Sequence, residues 1–81
     1  PEPDIFLKAA ELLDANPKRT VIVEDAIAGV EGGHNGGFGM VIGVDRSDKA
    51  FFMRQRGADA VVHDLEEVTF DKKCSNYTQD Y

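Results

Sequence analysis

What this sequence lacks constrains it first. It holds one cysteine, Cys74, which cannot close an internal disulfide; that fits a reducing compartment and a cytoplasmic protein. No apolar run approaches the roughly 18–20 residues needed to span a bilayer, and no basic, apolar, small-residue succession opens the chain, so a membrane is not an expected partner. Positive charge is scarce: nine Lys and Arg stand against fifteen Asp and Glu, a formal charge of −6. The basic side chains (Lys8, Lys18, Arg19, Arg46, Lys49, Arg54, Arg56, Lys72, Lys73) are scattered rather than aligned. An acidic chain without a basic stripe repels a polyphosphate backbone, which argues against nucleic acid. There is no initiator Met before Pro1-Glu2-Pro3, and helical periodicity begins within a few residues, so truncation or processing upstream is expected. Asn76-Tyr77-Thr78 is formally a glycosylation triplet, but without a secretory signal it reads as chance.

What is present is a small α/β pattern. At 81 residues with 42% hydrophobic content the chain is globular in composition, yet folding at this length buries only roughly 60–65% of the unfolded surface, so a thin core is expected. From Asp4 to Asn16, Ile5, Phe6, Ala9, Leu12 and Leu13 fall on one helical face, with Asp4 as the expected N-cap and Asn16-Pro17 as the stop. Thr20 to Val23 is β-branched without polar alternation, the pattern of a strand covered on both faces. Ala26 to about Asn35 has helical spacing in Ile27, Val30 and His34; the glycines Gly29, Gly32 and Gly33 inside it imply very close packing. Gly36 to Gly39 is a turn and Met40 to Val44 a second buried-type strand. Ser47 is the expected cap of a third helix, 48–56, with Ala50, Phe51 and Met53 or Arg54 inward and Gly57 as its stop. Ala58 to His63 makes a third strand and Asp64 to Val68 a short helical turn. The polar segment 69–81 is an expected frayed tail beyond a single unit, 1–68. The order α-β-α-β-α-β predicts a three-stranded parallel sheet. If the strands lie in sequence order, the second and third helices share one face, the other is left with at most the first helix, and self-association of the chain is expected.

In a parallel sheet, ligands bind along the carboxyl edge, and here each strand ends in acid: Glu24-Asp25, Asp45, and His63-Asp64. For Asp45 and Asp64 a capping or turn role is the better account. Glu24 and Asp25 differ, because two like charges at the end of a buried strand repel, and a hard divalent cation such as Mg²⁺ relieves that with oxygen ligands. Gly32 to Gly39 begins too far beyond Asp25 to be a phosphate-cradling loop and reads as helix packing and a turn. His34 and His63 lack partners at ligand spacing, and Cys74 has no base near it.

Four segments carry a resemblance. Val21-Ile22-Val23-Glu24-Asp25-Ala26-Ile27-Ala28-Gly29-Val30 is similar to V-E-D-(A/S)-x-A-G-V. Gly39-Met40-Val41-Ile42-Gly43-Val44-Asp45-Arg46 is similar to G-M-x-V-I-G-V, and Gly57-Ala58-Asp59-Ala60-Val61-Val62-His63-Asp64-Leu65 to G-A-D-x-V-V-x-D-L. Pro1-Glu2-Pro3-Asp4-Ile5-Phe6 is similar to P-x-P-(D/E)-x-(F/Y). Together these resemble the C-terminal part of the core domain of haloacid dehalogenase superfamily hydrolases, in the β-phosphoglucomutase-like branch, over residues 1–68. The resemblance implies a Rossmann-like core and a Mg²⁺-dependent phosphatase or phosphomutase acting on a small phosphorylated metabolite such as a sugar phosphate. In that family one aspartate becomes phosphorylated, a second serves as acid and base, a Ser/Thr and a lysine hold the phosphoryl oxygens, and an acid pair binds Mg²⁺. Only the last transfers to this sequence: Asp25 as the direct metal ligand and Glu24 as ligand or neighbour. No D-x-D-x-(T/V) occurs, so no catalytic residue is assigned, and this chain alone is expected to be inactive. Gly32-Gly33-His34-Asn35-Gly36-Gly37 departs from the A-A-x-A-A-G of the branch. A non-catalytic module, receiver-like or for assembly, is the alternative; a receiver would be phosphorylated at Asp64, but too little chain follows for its two further strands and lysine.

Overall fold

The computed structural model describes residues 2–69. Within them the order is α1 (Asp4–Leu12), a 3₁₀ turn (Pro17–Arg19), β1 (Val21–Glu24), α2 (Ile27–Asn35), β2 (Met40–Val44), α3 (Ala50–Gln55), β3 (Ala60–Val62) and a second 3₁₀ turn (Leu65–Glu67). The expected alternation is therefore the observed one. The strands form a 3-stranded parallel sheet in the order β1-β2-β3, with Glu24 paired to Gly43 and Val44 to Val62. Strands laid down in sequence order with crossovers of one hand put both crossover helices on one side. Accordingly α2 packs on β1 and β2, α3 packs on β2 and β3, and the two helices touch.

The core lies between sheet and helices: Ala10, Ile22, Val30, Phe38, Val41 and Met53 form one cluster, with Val30 and Met53 wholly buried. Phe6 meets Phe38 edge to face at 6.3 Å between ring centroids, tying α1 to the turn between α2 and β2. The glycines of α2 explain how closely it sits. A Cβ at Gly33 would lie 3.1 Å from Cγ2 of Ile22, so the missing side chain lets the helix rest directly on the sheet. Gly57 ends the α3 region with φ +116, a conformation that L side chains rarely adopt.

Several local expectations are corrected. Asp4 is the first helical residue rather than the N-cap, which is Pro3, and no side chain caps α1. The helix stops at Leu12, short of Asn16, because Asp14 turns to φ 57 while Ala15 N–H reaches back to the Ala10 carbonyl at 2.8 Å. Asn16 instead caps the next turn, its side chain accepting from Lys18 N–H at 2.9 Å. The inward face of α1 is Phe6, Leu7 and Ala10, whereas Ile5, Leu12 and Leu13 are exposed. Their stripe does not win because the glycines of α2 admit a ring at position 6; Cε2 of Phe6 lies 3.2 Å from where a Cβ at Gly32 would stand.

β1 is not covered on both faces: Ile22 is buried, but Val21 and Val23 are 47% and 44% exposed. It is an edge strand, and its second face has no helix of the described residues packed on it in the core cluster. On that face Met40 is exposed while Ile42 and Val44, nearer the centre, are buried. α3 is shorter than expected; its N-cap is Lys49, and the carboxylate serving its entry is Asp45 rather than Ser47. Met53 is its inward side chain, and Phe51 packs edge to face on Phe52 at the surface. The expected tail falls outside the described residues from position 70 onward, as do Cys74 and the Asn76 triplet.

Candidate functional site

β1 runs out at Glu24, and the chain bends through Asp25 and Ala26 into α2. A helix leaves its first N–H groups without intrahelical acceptors. Ala26, the N-cap, has no side chain that could serve them, and Glu24 turns back to do part of the work, its Oε1 accepting from Ala26 N–H at 3.2 Å. The Glu24 side chain lies where a Cβ at position 29 would be, so Gly29 is what gives it room. One carboxylate is thereby seated against the helix start, where the backbone dipole favours negative charge. Asp25, next in the chain, is exposed.

β2 ends beside β1 and delivers Asp45 and Arg46 to the same edge. These two diverge. Asp45 is buried, and its carboxylate accepts from Ser47 N–H at 3.0 Å and from Lys49 N–H at 2.8 Å. Those backbone donors, Ser47 first, hold its carboxyl below the usual carboxylate range. Its own N–H donates to the Val62 carbonyl at 2.8 Å, so residue 45 is tied to the sheet and to the loop at once. The third strand end is occupied locally too. Asp64 accepts from Glu66 N–H at 3.0 Å, while Oε2 of Glu67 takes the N–H groups of Asp64 and His63 at 2.9 and 2.8 Å. This is a reciprocal capping box, and it leaves Asp64 poorly suited to serve as a receiver's phosphoacceptor.

Of the three acid-bearing strand ends, the Glu24-Asp25 end is the one whose acids line a cleft. A cleft of about 230 Å³ at the carboxyl edge is lined by Val23, Glu24, Asp25, Val44, Arg46 and Leu65. Glu24 and Asp25 form one charged wall, Arg46 brings a guanidinium from the neighbouring strand, and Val23, Val44 and Leu65 supply apolar surface. Arg46 is the residue that sequence reasoning passed over, since it counted only as one of the scattered cations. The available signal was its place, two residues past a strand end on the edge already carrying the acid pair. His34 and His63 are exposed, and no group of three or more His, Cys, Asp or Glu able to hold a metal occurs among the described residues. No helix among them is long and apolar enough to cross a membrane.

Asp59 has a structural rather than a chemical place. Its Oδ2 accepts from Val41 N–H at 2.7 Å, and its N–H donates to the Val41 carbonyl at 2.8 Å, clamping the start of β3 to β2.

No family model matches the chain. It is 45% identical over 71 residues to a beta-phosphoglucomutase of Mycobacterium bovis, covering 84% of this chain and 27% of that protein. It is 42% identical over 75 residues to a trehalose-phosphate phosphatase of Mycobacterium tuberculosis, covering 89% of this chain and 19% of that one. The chain thus spans about a quarter or less of the length of these curated relatives. Among solved structures, a candidate beta-phosphoglucomutase from Bacteroides vulgatus superposes with a TM-score of 0.70 over 98% of this chain and 31% of its own, at 22% identity, a likeness of fold.

Proposed function

This chain belongs to the β-phosphoglucomutase-like branch of the haloacid dehalogenase superfamily, and we propose that it supplies the Mg²⁺-holding edge of a cytoplasmic phosphatase or phosphomutase acting on a small phosphorylated metabolite such as a sugar phosphate. One observation carries the reading: Glu24 and Asp25 are the acids that open into the cleft at the carboxyl edge, whereas Asp45 and Asp64 are engaged by backbone N–H groups.

The donor set suits Mg²⁺ in kind, being hard carboxylate oxygens, but supplies only part of an octahedral shell. Asp25, exposed at the bend, is the direct ligand in this proposal. Glu24 stands beside it with one oxygen engaged by Ala26 N–H, as ligand or as the group that orients the site. When bound, the ion would neutralise negative charge between an attacking carboxylate and the phosphoryl group. What these residues do themselves is set an adjacent pair of negative charges in the cleft lining, together with apolar Val23, Val44 and Leu65. The attacking aspartate of the family lies in a D-x-D motif that this sequence does not contain.

A Mg²⁺ titration of the 81-residue chain followed by amide NMR tests this. Shifts centred on residues 24–26, abolished in Asp25→Asn, are expected; shifts centred elsewhere would refute the assignment.

A further inference from the structure

Arg46 is the only cation among the described residues lining the cleft, and it follows the end of β2, the strand paired with the β1 that ends in the acids. A guanidinium sharing a cleft with two carboxylates would ordinarily pair with one of them. It does not: the ion pairs among the described residues join Lys8 to Glu11 and Arg56 to Glu31, and Arg46 enters none. Its backbone is nonetheless fixed. Asp45, immediately before it, is hydrogen-bonded to Val62 on one side and to Ser47 and Lys49 on the other, so a long flexible side chain springs from a rigid base.

The charge balance of the cleft indicates what that side chain is for. With two acids against one arginine, the cleft by itself is net negative and repels anions. A divalent cation held by the acid pair would turn it net positive, and the Arg46 guanidinium carries five N–H donors in a planar fork suited to phosphate oxygens. We infer that Arg46 is the anion-recognising residue of this cleft, contacting phosphate oxygens of the phosphorylated ligand once the acid pair carries a divalent cation. This rests on the reading of Glu24 and Asp25 as the metal-holding pair, and it adds a specificity determinant from a different strand. Phosphate and cation binding are then linked: each strengthens the other, by the same factor in both directions.

The experiment titrates inorganic phosphate into the 81-residue chain, without and with saturating Mg²⁺, following the Arg46 Nε–H and the amides of residues 24, 25, 46 and 65 by NMR. The expected result is a phosphate-dependent shift at Arg46 that strengthens with Mg²⁺. Arg46→Ala should weaken phosphate binding by about tenfold or more, the scale of a lost charge-assisted contact, while the Mg²⁺ shifts at 24 and 25 persist. Arg46→Lys should recover part of the loss, keeping the charge without the fork. Arg46 is exposed, so these variants should fold, and unchanged amide dispersion elsewhere checks that. Equal phosphate binding by wild type and Arg46→Ala overturns the inference, and so does an absence of any phosphate response at Arg46. A missing Mg²⁺ response at residues 24 and 25 instead overturns the metal assignment, which the titration without phosphate reads separately.

Discussion

The side chain of Glu24 occupies the space that a Cβ at position 29 would fill, so strand β1 and helix α2 are matched through one glutamate and one glycine. The match has a testable cost and benefit. Alanine at 29 would favour the helix by about 1 kcal/mol, but it must push the Glu24 side chain aside. Gly29→Ala should therefore change unfolding free energy by no more than about 1 kcal/mol in either direction while weakening Mg²⁺ binding several-fold. Denaturant unfolding and a Mg²⁺ titration of the same variant separate the two; wild-type metal affinity would show that the seat of Glu24 is immaterial.

Two carboxylates leave Mg²⁺ mostly hydrated, so the chain should bind it weakly, with a dissociation constant on the order of millimolar. Asp25→Asn should raise that constant by about tenfold or more, since one full ligand charge is lost. The same chain should show no turnover of p-nitrophenyl phosphate or of sugar phosphates, because nothing in it replaces the family's phosphorylated aspartate. Activity in rigorously purified wild-type chain that disappears in Asp25→Asn would refute this.

Acid should weaken the fold through Asp45. Backbone N–H groups of Ser47 and Lys49 stabilise its ionised form in the folded state, so its folded pKa is depressed. A depressed carboxyl contributes stability that is present above its unfolded value and is lost as pH falls through the folded value. The window lies on the acid side, below the ordinary carboxylate range, and stability near neutral pH should be insensitive to this group. Thermal unfolding of wild type and Asp45→Asn across acidic pH checks it: the wild type should lose more stability on acidification than the variant, and parallel curves would remove Asp45 as the cause.

Asp59 clamps β3 to β2 through Val41. Asp59→Ala leaves the partly buried Val41 N–H without its acceptor and should cost about 1–3 kcal/mol. Asp59→Asn keeps an oxygen in place and should cost less. Chemical denaturation of both variants measures the difference, and equal losses would point to charge rather than to the hydrogen bond.

Much of this fold is legible along the chain, and where legibility fails the reason is packing. The strands at Val21–Glu24 and Met40–Val44 stand out because β-branched residues cluster there between turns. The acid pair stands out because two like charges adjoin at the end of an apolar strand. The inward face of α1 was misread since Ile5, Phe6, Leu7, Ala9, Ala10, Leu12 and Leu13 offer more apolar surface than one stripe. Which stripe turns inward was decided by the groove of small residues on α2, which no periodicity within α1 encodes. Arg46 was missed for the same kind of reason, because its significance comes from β1 lying beside β2.

Sequence alone determined the order of elements, the parallel sheet and the acids at its carboxyl edge, since each follows from local propensity, spacing and the short crossovers between strands. Tertiary structure decided which of those acids remain available. Asp45 and Asp64 meet N–H groups of their own following turns, Glu24 finds room only because Gly29 has no side chain, and Asp25 with Arg46 is left to the cleft. A carboxylate's role depends on the donors that reach it, and the folded chain alone sets which donors do so.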